Sequence, residues 1–228
     1  ITITREFGSL GRPIAKRLSQ LLGINYYDRD IVEATAKRMN LPVSTLSGKE
    51  EKRSSFWKML VPLGTDSPEQ QERIFVTQTQ IIHELAEKGS CIIVGRCADY
   101  VLKDELNAIH IYIYAPYADR LANCVGPLGM EKNEAKRMIR EVDRARYAYH
   151  KHFAKYAPGD PQHKHIIINS ALLEVEGTAQ ALATIARQKF GGEEDTGFLT
   201  APRKTSDGAP EKEAEEWNVR GCGNMHII

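Results

Sequence analysis

The sequence predicts an α/β fold, a doubly wound parallel sheet of about five strands covered by helices on both faces to make three layers. Three observations predict it. Short β-branched runs alternate with stretches of 3.6-residue apolar periodicity along residues 1–190. Two of those runs, Cys91–Gly95 and Ile109–Tyr114, lack the polar–apolar alternation of a half-wetted strand, as parallel strands buried on both faces do. A glycine-containing turn joins the first strand to the first helix.

The elements follow in order. Ile1–Thr4 is the first strand, and a helix runs from about Pro13 to Leu22. Ile14, Leu18, Leu21 and Leu22 form its buried stripe, and Gly23 ends it. Ile24–Asp28 is a second strand and Arg29–Met39 a helix; Leu41–Thr65 is helical or irregular. Ser67, Pro68 and Gln70 carry the signature of a capped helix start, and that helix runs to about Lys88 before Gly89. Strands at Cys91–Gly95 and Ile109–Tyr114 follow, then a helix after Pro116 and a polar turn at Gly126–Gly129. A long helix spans about Glu131–Phe153, and Tyr156–Lys164 is a loop. His165–Asn169 is the last strand and Glu174–Phe190 the last helix.

Composition narrows the function classes. The 228 residues are 42% hydrophobic and 27% charged, enough to bury a core, and no run approaches the length of a membrane span. The opening Ile-Thr-Ile-Thr-Arg has no apolar leader, and Cys91, Cys97, Cys124 and Cys222 form no CxxC pair, so a cytoplasmic protein without membrane association is expected. The net charge of +1 hides a split. Of the 31 basic and 30 acidic residues, four and eight fall after residue 192, so the body is +5 and the tail −4. Such a body suits a small anion, and the excess is too small to indicate nucleic acid. The tail, 193–228, reads as an acidic extension outside the core.

The segment most informative about chemistry is Thr4-Arg5-Glu6-Phe7-Gly8-Ser9-Leu10-Gly11-Arg12-Pro13-Ile14. It lies between strand and helix, where an α/β sheet places a phosphate-binding loop. Gly8, Ser9 and Gly11 permit close backbone approach to an anion, and Arg12 stands where the lysine of a Gly-x-x-x-x-Gly-Lys-Ser/Thr loop reaches the β- and γ-phosphates. Glu6 replaces the first glycine and Pro13 the hydroxyl residue that would hold magnesium. Read alone, the segment equally describes a glycine turn leading into a proline-initiated helix.

Six short pieces in order resolve that choice. The opening Ile-Thr-Ile-Thr-Arg-Glu-Phe-Gly-Ser-Leu-Gly-Arg resembles the cytidylate kinase-like family, a divergent branch of the P-loop nucleoside monophosphate kinases. So do Tyr26-Tyr27-Asp28-Arg29-Asp30, Ile93-Val94-Gly95-Arg96-Cys97-Ala98-Asp99-Tyr100, Ile113-Tyr114-Ala115-Pro116, Val142-Asp143-Arg144-Ala145-Arg146 and Ile168-Asn169-Ser170. The resemblance covers residues 1 to about 190. It implies a kinase-like domain over 1–192, with an acceptor-binding region at about 29–88 and a mobile helical lid at about 126–160. It also implies transfer of the ATP γ-phosphoryl group to a nucleoside monophosphate such as CMP or dCMP, with ATP and Mg²⁺ as cofactors and small nucleotides as partners. The sequence sets no oligomeric state.

The resemblance assigns residues as well. Arg12, Arg96, Arg144 and Arg146 become the catalytic arginines, since spreading negative charge on the transferring group calls for guanidinium or metal. Gly8, Ser9, Gly11, Arg12, Asp28 and Arg140 become nucleotide-binding residues. Asp28 or Asp99 becomes the magnesium ligand, because the Asp-Gly-Arg-Asp of better-known relatives is here Val94-Gly95-Arg96-Cys97, and Asp99 stands two residues on. Bland alternatives exist for each: Asp28 as a helix cap, and Arg137, Arg140, Arg144 and Lys151 as a solvated face. His150, His152, His163 and His165 lack metal-ligand spacing and read as core or surface histidines. Where relatives hold the acceptor phosphate with an arginine, this chain has Ala34, leaving Arg29 or Arg38 to serve or a different acceptor to be used; Phe56 and Trp57 stack on a base or pack. The competing reading is a nucleotide-binding protein with lost or altered transfer, or a kinase of another small phosphate acceptor.

Overall fold

The computed structural model describes residues 1–28, 30–39 and 68–191. Ser67, Phe56, Trp57, Arg29 and the tail from residue 192, on which several expectations fall, lie outside the described residues. Five strands, β1 (Thr2–Arg5), β2 (Asn25–Tyr27), β3 (Cys91–Val94), β4 (His110–Tyr114) and β5 (Ile166–Asn169), form one sheet in the order β2-β3-β1-β4-β5. Every pairing is parallel, with Thr2 opposite both Ile93 and His110. The predicted α/β class is the observed one.

Parallel strands need crossovers, and the helices supply them. They are α1 (Gly11–Leu22), α2 (Asp30–Arg38), α3 (Pro68–Glu87), the single turn α4 (Ala98–Val101), α5 (Tyr117–Val125), α6 (Lys132–Ala154) and α7 (Ser170–Phe190). The two sheet faces divide β3 residue by residue. Ile92 and Val94 pack with Ile14 and Leu18 of α1 and Leu182 and Ala186 of α7. Cys91 and Ile93 pack with Ile31, Ile81 and Ile82 of α2 and α3. This alternation within a wholly buried strand is why the run shows no polar period. A third cluster, Phe7, Cys124, Ala135, Met138, Ile139 and Val142, seats α5 and α6 against the loop after β1.

Three boundaries differ from the sequence reading for local reasons. Helix α1 begins at Gly11 rather than Pro13, because Leu10 takes a left-handed φ of 56° and turns the chain into the helix early. Helix α7 begins at Ser170, capped by Asn169, whose side chain accepts from the Ala171 N–H at 3.0 Å; it breaks at Glu174, φ 54°. The broken first turn carries none of the helical period, so it is invisible to a periodicity argument. Inside the predicted loop before β5, Pro161–His163 forms a 3₁₀ turn capped by Asp160. No helix among the described residues is long and apolar enough to cross a membrane.

A histidine pair closes the N-terminal edge of the central strands. His110 is buried, its Nδ1 lies 2.8 Å from Thr2 Oγ1, its backbone N–H donates to His165 Nδ1 at 2.9 Å, and the two rings stack at 5.0 Å. Burial, with His165 adding, pushes the His110 pKa down to about 4. The unfolded chain therefore binds a proton that the folded chain refuses, and stability falls as pH drops from about 6.5 toward 4. At about 1.36 kcal/mol per unit the loss reaches roughly 3 kcal/mol. We expect urea unfolding of His110→Asn to lack this part of the acid slope; parallel profiles for variant and wild type would show that His110 does not carry it.

Candidate functional site

Ligands in an open parallel sheet gather outside the carboxyl ends of the strands, and there the chain concentrates arginine. Arg5 is the last residue of β1, Arg96 lies two residues past β3, Arg12 belongs to the first turn of α1, and Arg146 comes from the middle of α6. Asp28, just past β2, is the carboxylate that Arg5 and Arg12 share. It pairs with Arg12 and with Arg5 at 3.4 Å and accepts from Tyr26 Oη at 3.3 Å. The Asp28 carboxylate is thus committed to two guanidiniums.

Arg5, which the sequence reading passed over, is the best-accommodated of the four. A Cβ on Gly11 would stand 2.7 Å from Arg5 Cβ, and a Cβ on Gly95 would collide with the Arg5 guanidinium. Two glycines from separate loops thus clear the path of one side chain. Burial lowers the Arg5 pKa, Asp28 opposes, and the charges of Arg12 and Arg96 lower it further. Burial also holds Arg146 well below its ordinary value, with Arg5 and Arg12 repelling it and Asp143 and Asp28 attracting it. Its Nη1 donates to the Arg5 carbonyl at 3.0 Å.

The turn that delivers Arg96 is strained. Gly95, Arg96 and Cys97 have successive φ values of 79°, 57° and 54°. Left-handed backbone costs a non-glycine residue about 1–2 kcal/mol. The Gly95 N–H bond to the Ile3 carbonyl at 2.9 Å and the Ala98 N–H bond to the Gly95 carbonyl at 3.1 Å hold it in place.

The loop itself departs from expectation at Ser9. Its side chain is buried, and its hydroxyl donates to the Glu6 carbonyl at 3.0 Å and lies 3.2 Å from the Ile113 carbonyl. That hydroxyl braces the loop from beneath, and Ser170 Oγ donates to the Ser9 carbonyl at 2.7 Å. Gly8 (φ 81°) is required because a Cβ would lie 2.8 Å from the Arg120 carbonyl oxygen. Gly11 and Arg12 open α1 and so present N–H groups with no partner inside the helix.

Helix α6 grips the loop through the Asp-Arg-x-Arg sequence, but not with every member. Asp143 accepts from the Phe7 N–H at 2.8 Å and pairs with Arg120, which also lies 3.4 Å from Glu6. Asp143 and Arg146, three residues apart, share a face. Arg144 stands about 160° around the helix from Arg146 and is exposed, as is Arg140; Arg137 is on the surface with Glu141 at 3.4 Å. The structure therefore does not bring Arg140 and Arg144 to the cluster. The buried stripe of α6 runs through Val142, His150 and Phe153, and Arg146, half-buried, stands four residues from both Val142 and His150 on that side.

Asp99 is placed differently from a magnesium ligand. Its side chain is 1% exposed and that of Lys164 0%, and the two form an ion pair. His150 Nε2 lies 3.0 Å and Tyr156 Oη 3.0 Å from the same carboxylate oxygen, Oδ2; Thr4 Oγ1 is 3.5 Å from the other. Burial alone would raise the Asp99 pKa; His150 and Lys164 outweigh it and hold it far below the usual range. Fully engaged, Asp99 is a structural anchor between β1, α6 and the segment before β5. With Asp28 committed to Arg5 and Arg12 and Pro13 lacking a hydroxyl, the donor set does not fit Mg²⁺. Among the described residues no group of three His, Cys, Asp or Glu is arranged to hold a metal. The histidines are core or surface residues as expected: His150 is buried, and His163 stacks on Tyr156 at 3.6 Å. In the region expected to bind the acceptor, Ala34 is half-buried against the second core cluster and Arg38 pairs with Glu84 at 2.8 Å.

Comparison with solved structures finds an uncharacterized protein from Eubacterium ventriosum, 24% identical, with a TM-score of 0.62 over 81% of this chain and 96% of that one. The shikimate kinase from Acinetobacter baumannii in complex with shikimate is 14% identical, with a TM-score of 0.44 over 82% of this chain and 90% of its own. The shikimate kinase from Aquifex aeolicus is 16% identical, with a TM-score of 0.40 over 84% and 100%. No curated protein matches the chain. The model of the cytidylate kinase-like family matches residues 1–172, a span that holds the phosphate loop, Asp28, Arg96 and the whole of α6, and the chain belongs to that family.

Proposed function

We propose that the protein transfers the γ-phosphoryl group of ATP to a nucleoside monophosphate, with CMP or dCMP as the preferred acceptor. The observation that carries this reading is the gathering of arginines at the carboxyl ends of the strands: Arg5 and Arg12 share the Asp28 carboxylate, Arg96 lies within electrostatic reach of Arg5, and Arg146 bonds the Arg5 carbonyl. Phosphoryl transfer asks a protein to position two anions in line and to stabilise charge on the transferring oxygens. The N-terminal N–H groups of α1 and Arg12 cradle the donor phosphates, and Arg96 and Arg146 neutralise charge between donor and acceptor. Asp28 holds the guanidiniums in register before the ligand arrives. With Asp28 and Asp99 both engaged by cations, the charge neutralisation contributed by the protein's own side chains is made by arginine.

A second reading, nucleotide binding without transfer, draws support from Pro13 and from the commitment of Asp28 and Asp99. ATP consumption against a panel of monophosphates separates the two. We expect turnover with CMP, dCMP or UMP; tight ATP binding with no phosphorylated product from any acceptor would replace the kinase by a nucleotide-binding protein.

A further inference from the structure

Among the described residues, Arg5, Arg12 and Arg146 outnumber the carboxylates that meet them. Arg5 and Arg12 share the single carboxylate of Asp28. Arg146, among the described residues, makes its hydrogen bond to the Arg5 carbonyl. The nearby Asp143 is already bonded to the Phe7 N–H and to Arg120. Removing guanidiniums from water with fewer anions than cations is unfavourable, and the fold pays it by design, clearing space for Arg5 with Gly11 and Gly95 and accepting left-handed backbone at Gly95 and Arg96. A compensating anion is the missing member.

We propose that Arg5 is itself an anion-binding residue, whose guanidinium contacts phosphoryl oxygens of the bound ligand from beneath, while Asp28 holds it in place. The inference rests on the phosphotransferase reading but assigns a contact which that reading does not require. Three features point to a contact rather than a structural bridge. The Arg5 side chain retains 13% exposure at the carboxyl end of the central strand, where a ligand would lie. Its 3.4 Å approach to Asp28 is loose for a charge-assisted pair, which favours 2.7–2.9 Å, leaving donors for another acceptor. Its neighbours within electrostatic reach, Arg12 and Arg96, are the residues already assigned to phosphate. A planar fork of five donors suits a phosphoryl group bidentately, which a lysine at the end of β1 would not match.

The test is calorimetric titration of the full-length protein with inorganic pyrophosphate in the presence of a chelator. We expect wild type to bind, Arg5→Gln to bind about 10- to 100-fold more weakly and Arg5→Lys to fall between. Arg17→Gln, which removes a surface partner of Glu176, should match wild type. Arg5→Lys keeps the charge, so the assignment stays testable should the glutamine variant fail to fold. Equal pyrophosphate affinity in wild type and Arg5→Lys, with Arg5→Gln equal to them or unfolded, would overturn the assignment, as would absence of binding by wild type. Arg5-dependent pyrophosphate binding without ATP turnover on any monophosphate would sink the kinase reading and leave Arg5 assigned.

Discussion

Arg146→Ala is expected to lower kcat/KM for phosphoryl transfer by about 10³-fold or more, the effect of removing an arginine that meets charge in the transition state. The argument starts from position. Arg146, half-buried, stands four residues from both Val142 and His150 on the buried side of α6, and its Nη1 reaches the carbonyl of Arg5 at the end of β1. Without a ligand that position is unfavourable: burial comes first, and Arg5 and Arg12 then repel it. Removing the guanidinium should therefore leave the ligand-free melting temperature within a few degrees of wild type or raise it, while activity collapses. Arg146→Lys should recover only part of the rate, because an ammonium does not reproduce the guanidinium fork. A steep fall in melting temperature with kcat/KM retained would make Arg146 a brace of the fold instead. Arg144→Ala, at an exposed position, should cost far less.

Asp99→Ala is expected to destabilise the fold by about 3–5 kcal/mol, the cost of leaving a buried cation without its partner. For a domain of this size that corresponds to a melting temperature lower by roughly 10 °C. The Lys164 side chain has no exposure, so water cannot replace the lost carboxylate, and His150 and Tyr156 lose the same acceptor. Lys164→Met should cost less than Asp99→Ala, since His150 and Tyr156 still face the carboxylate and the methionine fills the volume. The pH sign follows from the depressed Asp99 pKa: its contribution is present above the ordinary carboxylate range and is lost as pH falls toward the folded value. Chemical unfolding at neutral pH measures the difference. A loss below about 1 kcal/mol would show that the carboxylate does not anchor the fold and would reopen a ligand role for it.

Much of the fold was legible residue by residue. The stripe of Ile14 and Leu18, the unbroken β-branched run of Cys91–Val94 and the stop at Gly23, φ 65°, are local signals whose physics is complete within a few residues. The phosphate loop, Asp28, Arg96 and the Asp143–Arg146 sequence were legible as a set, because their order along the chain carries the resemblance even where each piece is weak. The start of α7 was not legible, since its first turn is broken at Glu174 and helical period accumulates only afterwards.

What the sequence by itself determined, then, is the order and type of the elements and the neighbourhood of the site: strand ends, a glycine turn and a basic helix. Which charges face inward was decided only by tertiary structure. Arg5 and Lys164 carried no local signal, and Arg146 and Asp99 were singled out only through the resemblance, which offered Asp99 to magnesium rather than to Lys164. Periodicity reports the average polarity of a face, and a buried ion is tolerated only through partners that folding brings from elsewhere. Lys164 lies 65 residues from Asp99, and Arg146 lies 141 from Arg5. No local pattern announces such partners, so these residues become visible only when the strands and α6 close on one another.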